Sequence, residues 1–311
     1  MKTFELGGRP VPRLGQGTWN IGDSDSTRAA EIATLRRGIE LGMTLIDTAE
    51  MYGNGRSELL VGKAIAPLRN RVQLVSKVLP SNASIDGTIR SCEASLKRLA
   101  VETIDLYLLH WRGRYPLRDT VEAFHRLLEQ GRIRSWGVSN FDVDDMEELF
   151  DVPGGSSCAA NQVLYNPEHR AIEYDLLPWC GQRNVTVMAY SPIGQGGPLL
   201  RSPTLRGIAR KHHVSPAQVA LAWCLRQPLL AIPKAGSLEH VEENAAADGL
   251  ELDAEDLAGI DESYPAPKRK RPLIPVRNDN VRSVTCAKSC IPIKKLYVWL
   301  NRVIATGVIR H

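Results

Sequence analysis

Residues 72–110 read VQLVSKVLPSNASIDGTIRSCEASLKRLAVETIDLYLLH. Residues 72–77 and 104–110 are short apolar runs of strand length, and residues 84–99 between them carry a helical pattern. A strand, a helix and a second strand in so few residues make a βαβ unit, whose two strands are parallel. Working outward, the same alternation fills most of the chain. A glycine-rich opening at residues 3–11 has the look of a hairpin. Strand-like runs follow at 14–19, 44–47, 72–77, 104–110, 133–138, 159–163, 186–190 and 229–232. Helical patterns follow at 27–41, 57–65, 84–99, 119–130, 143–150, 172–180, 216–226 and 238–246. Eight alternating units predict a (β/α)8 TIM barrel with an N-terminal β-hairpin. Ser215, Pro216 and Gln218 give the next-to-last of these helices an N-cap, a proline at its first position and a glutamine at its third. Ser84 stands three residues before Gly87, without a capping box.

A doubly wound dinucleotide fold fits less well. Gly15 with Gly17, and Gly53 with Gly55, form pairs that lack the third glycine of the dinucleotide fingerprint, and no phosphate-loop lysine occurs.

The 311 residues are 43% hydrophobic and 24% charged, close to the average for folded domains. Six cysteines without zinc-type pairs predict reduced thiols and no metal site. The opening MKTFELGGRP lacks the apolar stretch of a secretion signal, and no run is long enough to span a bilayer. A cytoplasmic protein without membrane or nucleic-acid partners is therefore expected, and a monomer. The net charge of +4 conceals an asymmetry. Residues 268–311 hold eleven Lys/Arg against Asp279, while residues 1–267 hold 28 basic and 34 acidic residues. Residues 1–275 are read as the barrel and 276–311 as a basic, disordered C-terminal tail.

In a parallel barrel, chemistry is built where the strands end. The second run ends in Asp47 and continues to Tyr52, the third ends in Lys77 and the fourth in His110. Singly, these are ordinary residues: a loop cap, a half-buried aromatic, a solvated strand end, a core histidine. Lys77 and His110 nevertheless leave strongly apolar runs, where a polar group costs desolvation unless it has partners. Four such residues on one rim make a candidate site.

These residues lie in stretches that resemble the aldo-keto reductases, and in particular bacterial members that reduce methylglyoxal and other aldehydes. The stretches are LIDTAEMYGNGRSELLVGKAI, LVSK, DLYLLHW, GVSNF and IPKAGSLEHVEEN, in that order. The resemblance implies a catalytic tetrad of Tyr52, Asp47, Lys77 and His110. It implies that Ser139, Asn140 and Gln162 hold a nicotinamide carboxamide and that Tyr190 stacks on the ring. Gly17, Thr18, Trp19, Asp47 and Ser191 complete that end. Lys234, Ser237, His240, Glu243 and Asn244 take the adenosine 2′-phosphate end. The implied cofactor is NADPH/NADP, with NADH admitted because many members have arginine where this chain has His240, and a neutral imidazole lacks its fork and charge. His110, Trp19 and Trp111 face the substrate, with Arg112 and Arg114 in the adjoining loop as candidates to attract an anionic or dicarbonyl one.

The chemistry is intelligible residue by residue. A hydride arriving at a carbonyl leaves an alkoxide that needs a proton. Tyrosine, with an ordinary pKa near 10, is a weak donor unless its phenolate is stabilised. Lys77, held by Asp47, is expected to lower the Tyr52 pKa, and His110 to orient the carbonyl. The function implied is NADPH-dependent reduction of small aldehydes or dicarbonyls. The same motifs are compatible with a non-catalytic redox-sensing subunit that binds NADP, or with an enzyme working mainly as an alcohol dehydrogenase.

Overall fold

The computed structural model describes residues 1–273. The tail reading over 276–311, and the boundary at 275, lie outside the described residues. The chain opens with an antiparallel hairpin of β1 (Thr3–Leu6) and β2 (Arg9–Pro12). Gly7 and Gly8 make its turn at φ of 57° and 75°, a conformation in which a side chain would be strained.

Eight parallel strands follow, each paired with the next: β3 (Gln16–Gly17), β4 (Leu45–Asp47), β5 (Gln73–Val78), β6 (Leu106–Leu109), β7 (Trp136–Ser139), β8 (Ala160–Leu164), β9 (Thr186–Tyr190) and β10 (Leu230–Ala231). Leu14 bridges Ala231, and Gly15 N–H and Gly17 N–H donate to Ala231 O and Pro233 O at 2.8 and 3.0 Å. The sheet thereby returns to its first strand as a closed barrel, as the eight alternating units predict. This seam needs glycine, because a Cβ on Gly17 would stand 2.8 Å from Ile232 O.

The helices are α1 (Arg28–Glu40), α2 (Arg56–Ile65), α3 (Ile85–Leu99), α4 (Leu117–Glu129), α5 (Val143–Phe150), α6 (Leu176–Gln182), α7 (Pro203–His212), α8 (Pro216–Leu225), α9 (Leu238–Ala246) and α10 (Ala254–Ser263). Two of them, α7 and α10, fall outside the one-helix-per-strand count. The single helix expected over 172–180 is instead a 3-10 turn, Ala171–Glu173, followed by α6, with Asp175 between them off helical geometry at φ −138°.

Strand side chains alternate between two cores. One row, Leu45, Val75, Leu106, Leu108, Ala160, Met188 and Leu230, fills the barrel interior together with Leu6 and Val11 of the hairpin. The intervening row, including Ile46, Leu74, Val78, Tyr107, Leu109 and Val163, packs in the larger helix-covered core. A period of two then decides what the rim holds. Two residues past Leu45, Val75, Leu108, Ala160 and Met188 come Asp47, Lys77, His110, Gln162 and Tyr190, so these five inward rows end in polar groups at the same end of the barrel, while that of β10 ends in Ile232.

Candidate active site

Lys77 and Asp47 meet on the ends of β5 and β4 with side chains 0% and 3% exposed. The Lys77 ammonium donates to both Asp47 carboxylate oxygens at 2.7 and 2.8 Å, to Thr48 O at 2.9 Å and to the Tyr52 hydroxyl at 3.2 Å. Gln162 Nε2 donates to Asp47 Oδ1 at 2.7 Å from across the barrel. A buried charge pair survives only when its remaining hydrogen-bonding capacity is met, and here it is. Burial pulls the Lys77 pKa down, and Asp47 acts in the opposite sense.

Tyr52 begins a tight turn in which Gly53, Asn54 and Gly55 have φ of 57°, 53° and 87°. The turn leads directly into α2, whose Ser57 is fully buried. The Ser57 and Thr18 hydroxyls lie 2.8 Å apart, Thr48 Oγ1 donates to Ser57 Oγ at 3.2 Å, and Thr18 Oγ1 donates to Asp47 O at 2.9 Å. The segment carrying the phenol is thus tied to the strand ends that carry the ion pair.

The expected lowering of the Tyr52 pKa is not what this geometry gives. Its pKa is pushed well above the ordinary value, by burial first and by the Asp47 carboxylate second. The phenol therefore keeps its proton while its oxygen accepts from the Lys77 ammonium.

His110 is buried at the end of the inward row of β6, its ring 5.8 Å from that of Tyr52 and edge-on to it. Burial and then the Lys77 charge pull its pKa well below the usual value, so the imidazole is neutral. Its Nδ1 is buried without a hydrogen-bond partner among the described residues. The Trp111 ring, tilted at 4.9 Å from His110 and 38% exposed, stands beside it, and Trp19 is half-buried past the end of β3.

Ser139, Asn140, Gln162 and Tyr190 form one hydrogen-bonded group. The Ser139 hydroxyl donates to Gln162 O at 2.8 Å, Asn140 Nδ2 to His110 O at 3.1 Å, and the Tyr190 hydroxyl to Asn140 Oδ1 at 2.8 Å. Asn140 and Ser191 hold left-handed φ of 60° and 50°, strain of a kind that clusters at functional sites.

The second group of expected cofactor residues follows β10. Ser237 caps α9 by accepting from His240 N–H at 3.2 Å, Lys234 and His240 are exposed, and Glu243 is half-buried. Asn244 is buried, and its Nδ2 has no hydrogen-bond partner among the described residues. A helix N-terminus with a lysine before it and an unsatisfied buried amide behind it fits the phosphate and base end of a nucleotide.

Three sequence expectations need qualification. Gly17 is accounted for by the barrel seam, and the Thr18 hydroxyl is already engaged by Asp47 O and Ser57. Arg112 is not free to draw an anion. Its Nη2 donates to Glu148 Oε1 at 2.8 Å and its Nη1 to Gly113 O and Tyr115 O at 2.5 and 2.9 Å. Sequence reasoning passed over Glu50, Ser57 and the Thr48 carbonyl, all inside the stretch that carries Asp47 and Tyr52.

The family model for the aldo/keto reductases matches residues 13–265, nearly the whole of the described chain. The chain belongs to the aldo/keto reductase family. Among curated family members, methylglyoxal reductase YeaE of Escherichia coli is 53% identical over 268 residues, covering 85% of this chain and 94% of that protein. Glyoxal reductase of Bacillus subtilis is 34% identical over 254 residues, covering 82% and 89%. A crystal structure of an aldo-keto reductase from Klebsiella pneumoniae in complex with NADPH is 49% identical and superposes with a TM-score of 0.87, covering 88% of this chain and 99% of that one.

Proposed function

We propose that this NADP-dependent oxidoreductase reduces small aldehydes and dicarbonyls, methylglyoxal among them, to alcohols, with Tyr52 as the proton donor. The observation that carries the reading is the Lys77 ammonium, buried on Asp47 yet within 3.2 Å of the Tyr52 hydroxyl. Bound NADPH supplies the hydride. Ser139, Asn140, Gln162 and Tyr190 hold its nicotinamide end, with Asp47, Trp19 and Ser191 beside them. Lys234, Ser237, His240, Glu243 and Asn244 hold its phosphate end.

The remaining work falls to the chain's own groups. His110 is neutral, and its unpartnered Nδ1 favours the tautomer with hydrogen on Nε2, because a buried unpaired donor costs more than an unpaired acceptor. That N–H orients the carbonyl oxygen and strengthens its hold as negative charge develops there. Tyr52, kept protonated by burial, gives its proton to this oxygen, and the Lys77 ammonium faces the phenolate left behind. Trp19 and Trp111 exclude water from the opening.

Arg112 is not the group that would draw an anionic substrate, because its guanidinium is consumed by Glu148 and two carbonyls, whereas the neighbouring Arg114 is exposed over the Tyr115 ring. The named activities of the Escherichia coli and Bacillus subtilis relatives support the carbonyl class. We read the protein as a cytoplasmic monomer. The tetrad is complete within one chain, the four cysteines among the described residues are free, and no described helix is long and apolar enough to cross a membrane.

The test is NADPH oxidation with methylglyoxal, neutral aldehydes and carboxylate-bearing aldehydes, alongside NADPH binding. Turnover with methylglyoxal and with neutral aldehydes is expected. Saturating NADPH binding with no oxidation on any carbonyl would overturn the reading.

A further inference from the structure

The four tetrad side chains come from separate places, and the one least fixed by the barrel is Tyr52. Asp47 and Lys77 stand on strands, whereas Tyr52 lies five residues beyond β4 in a loop. Something must hold that loop to the one that leaves Lys77, or the 3.2 Å contact between phenol and ammonium would not persist. Ser57 anchors the far side of the loop. Glu50 spans the near side. Its Oε1 accepts from Leu79 N–H at 2.7 Å and from Asn82 Nδ2 at 3.0 Å, while Glu50 N–H makes a longer contact to Lys77 O at 3.4 Å. One half-buried carboxylate two residues before Tyr52 is thus fastened to the chain two and five residues after Lys77. Pro80, in the same short turn as Asn82, supports the Trp111 loop, since a Cβ on Gly113 would lie 2.6 Å from Pro80 Cβ.

We propose that Glu50 is a positioning residue for the reduction: it clamps the loop bearing Tyr52 to the loop leaving Lys77 and so keeps the phenol within reach of the ammonium. The proposal rests on Tyr52 being the proton donor. Both side-chain bonds fall on a single oxygen, and both partners are neutral N–H donors, so the clamp requires an acceptor and not a charge. A glutamine amide oxygen meets that requirement and an alanine does not. Misplacement of a reacting group by about 1 Å costs on the order of 100-fold in rate.

The experiment compares the full-length wild type, Glu50→Ala and Glu50→Gln. For Glu50→Ala, kcat is expected to fall by about 10- to 100-fold while NADPH affinity stays within about twofold. The basic limb of its pH–kcat profile is expected to move, because the proton donor has lost its fixed relation to Lys77. Glu50→Gln is expected to recover both rate and profile. Amide hydrogen exchange across residues 78–83 supplies a readout independent of turnover: the Leu79 amide should lose protection in the alanine variant and keep it in the glutamine variant. Wild-type kcat and pH profile in Glu50→Ala would overturn the proposal, as would unchanged Leu79 protection. Glutamine as damaging as alanine would also overturn it, by showing that charge is what matters. If the wild type itself turned over no carbonyl, the proposed function would fail, and the exchange result would still decide whether the clamp exists.

Discussion

His110 is an imidazole that the fold keeps from titrating. The folded protein resists its protonation, whereas in the unfolded chain the ring takes a proton near its ordinary pKa of 6.5. The unfolded state therefore binds more protons below that pH, so acidification through about 6.5 removes stability that is present above it. His110→Gln lacks this titration, and its stability relative to wild type is expected to improve as pH falls from about 7.5 to 5.5. Thermal unfolding of both proteins across that window checks it, and a constant difference would mean that the ring titrates normally when folded. At this scale the sequence was informative where a polar residue closes an apolar run, which is why Asp47, Lys77 and His110 are legible in it. Glu50 and Ser57 are not, because their significance is a hydrogen bond to another loop. Nor is the upward shift of the Tyr52 pKa, since depth of burial is a property of the assembled barrel.

At the scale of elements, local chemistry is read well where it is complete. Ser215 Oγ accepts from Gln218 N–H, and Gln218 Oε1 accepts from Ser215 N–H at 2.9 Å, so α8 begins with the capping box that its sequence announces. Ser215→Ala is expected to cost about 1 kcal/mol of stability and Ser215→Asp, which keeps an acceptor, much less. Equal losses in a denaturant titration would show that the cap contributes nothing. The extra helices were harder to see. In α7, Leu205, Ile208 and Ala209 form a buried stripe at helical spacing, but the alternation of strand and helix leaves no place for a second helix before β10. In α10 the capping box of Asp253 and Asp256 is equally clear, yet it lies beyond the last unit of the repeat. A repeat read from the sequence predicts its own members and is silent on additions.

The molecule as a whole depends on a seam that no single element contains. β3 and β10 have only two residues each, and closure rests on the Leu14 bridge to Ala231 and on backbone bonds made by Gly15 and Gly17. Gly17→Ala would press a methyl against Ile232 O, backbone that cannot rotate away, and is expected to destabilise the protein by about 1–3 kcal/mol. A variant as stable as wild type in the same titration would mean that the seam is slack. Closure also brings Gln162 of β8 to Asp47 of β4, so an intact barrel is a condition for the tetrad. The central claim is that this assembled rim reduces a carbonyl with Tyr52 as the acid. The most direct measurement is kcat for NADPH-dependent methylglyoxal reduction by wild type and Tyr52→Phe, with the NADPH dissociation constant of each. The account predicts a fall in kcat of about 10²- to 10⁴-fold with NADPH binding nearly unchanged. A phenylalanine variant that binds NADPH and retains most of the wild-type kcat would contradict it.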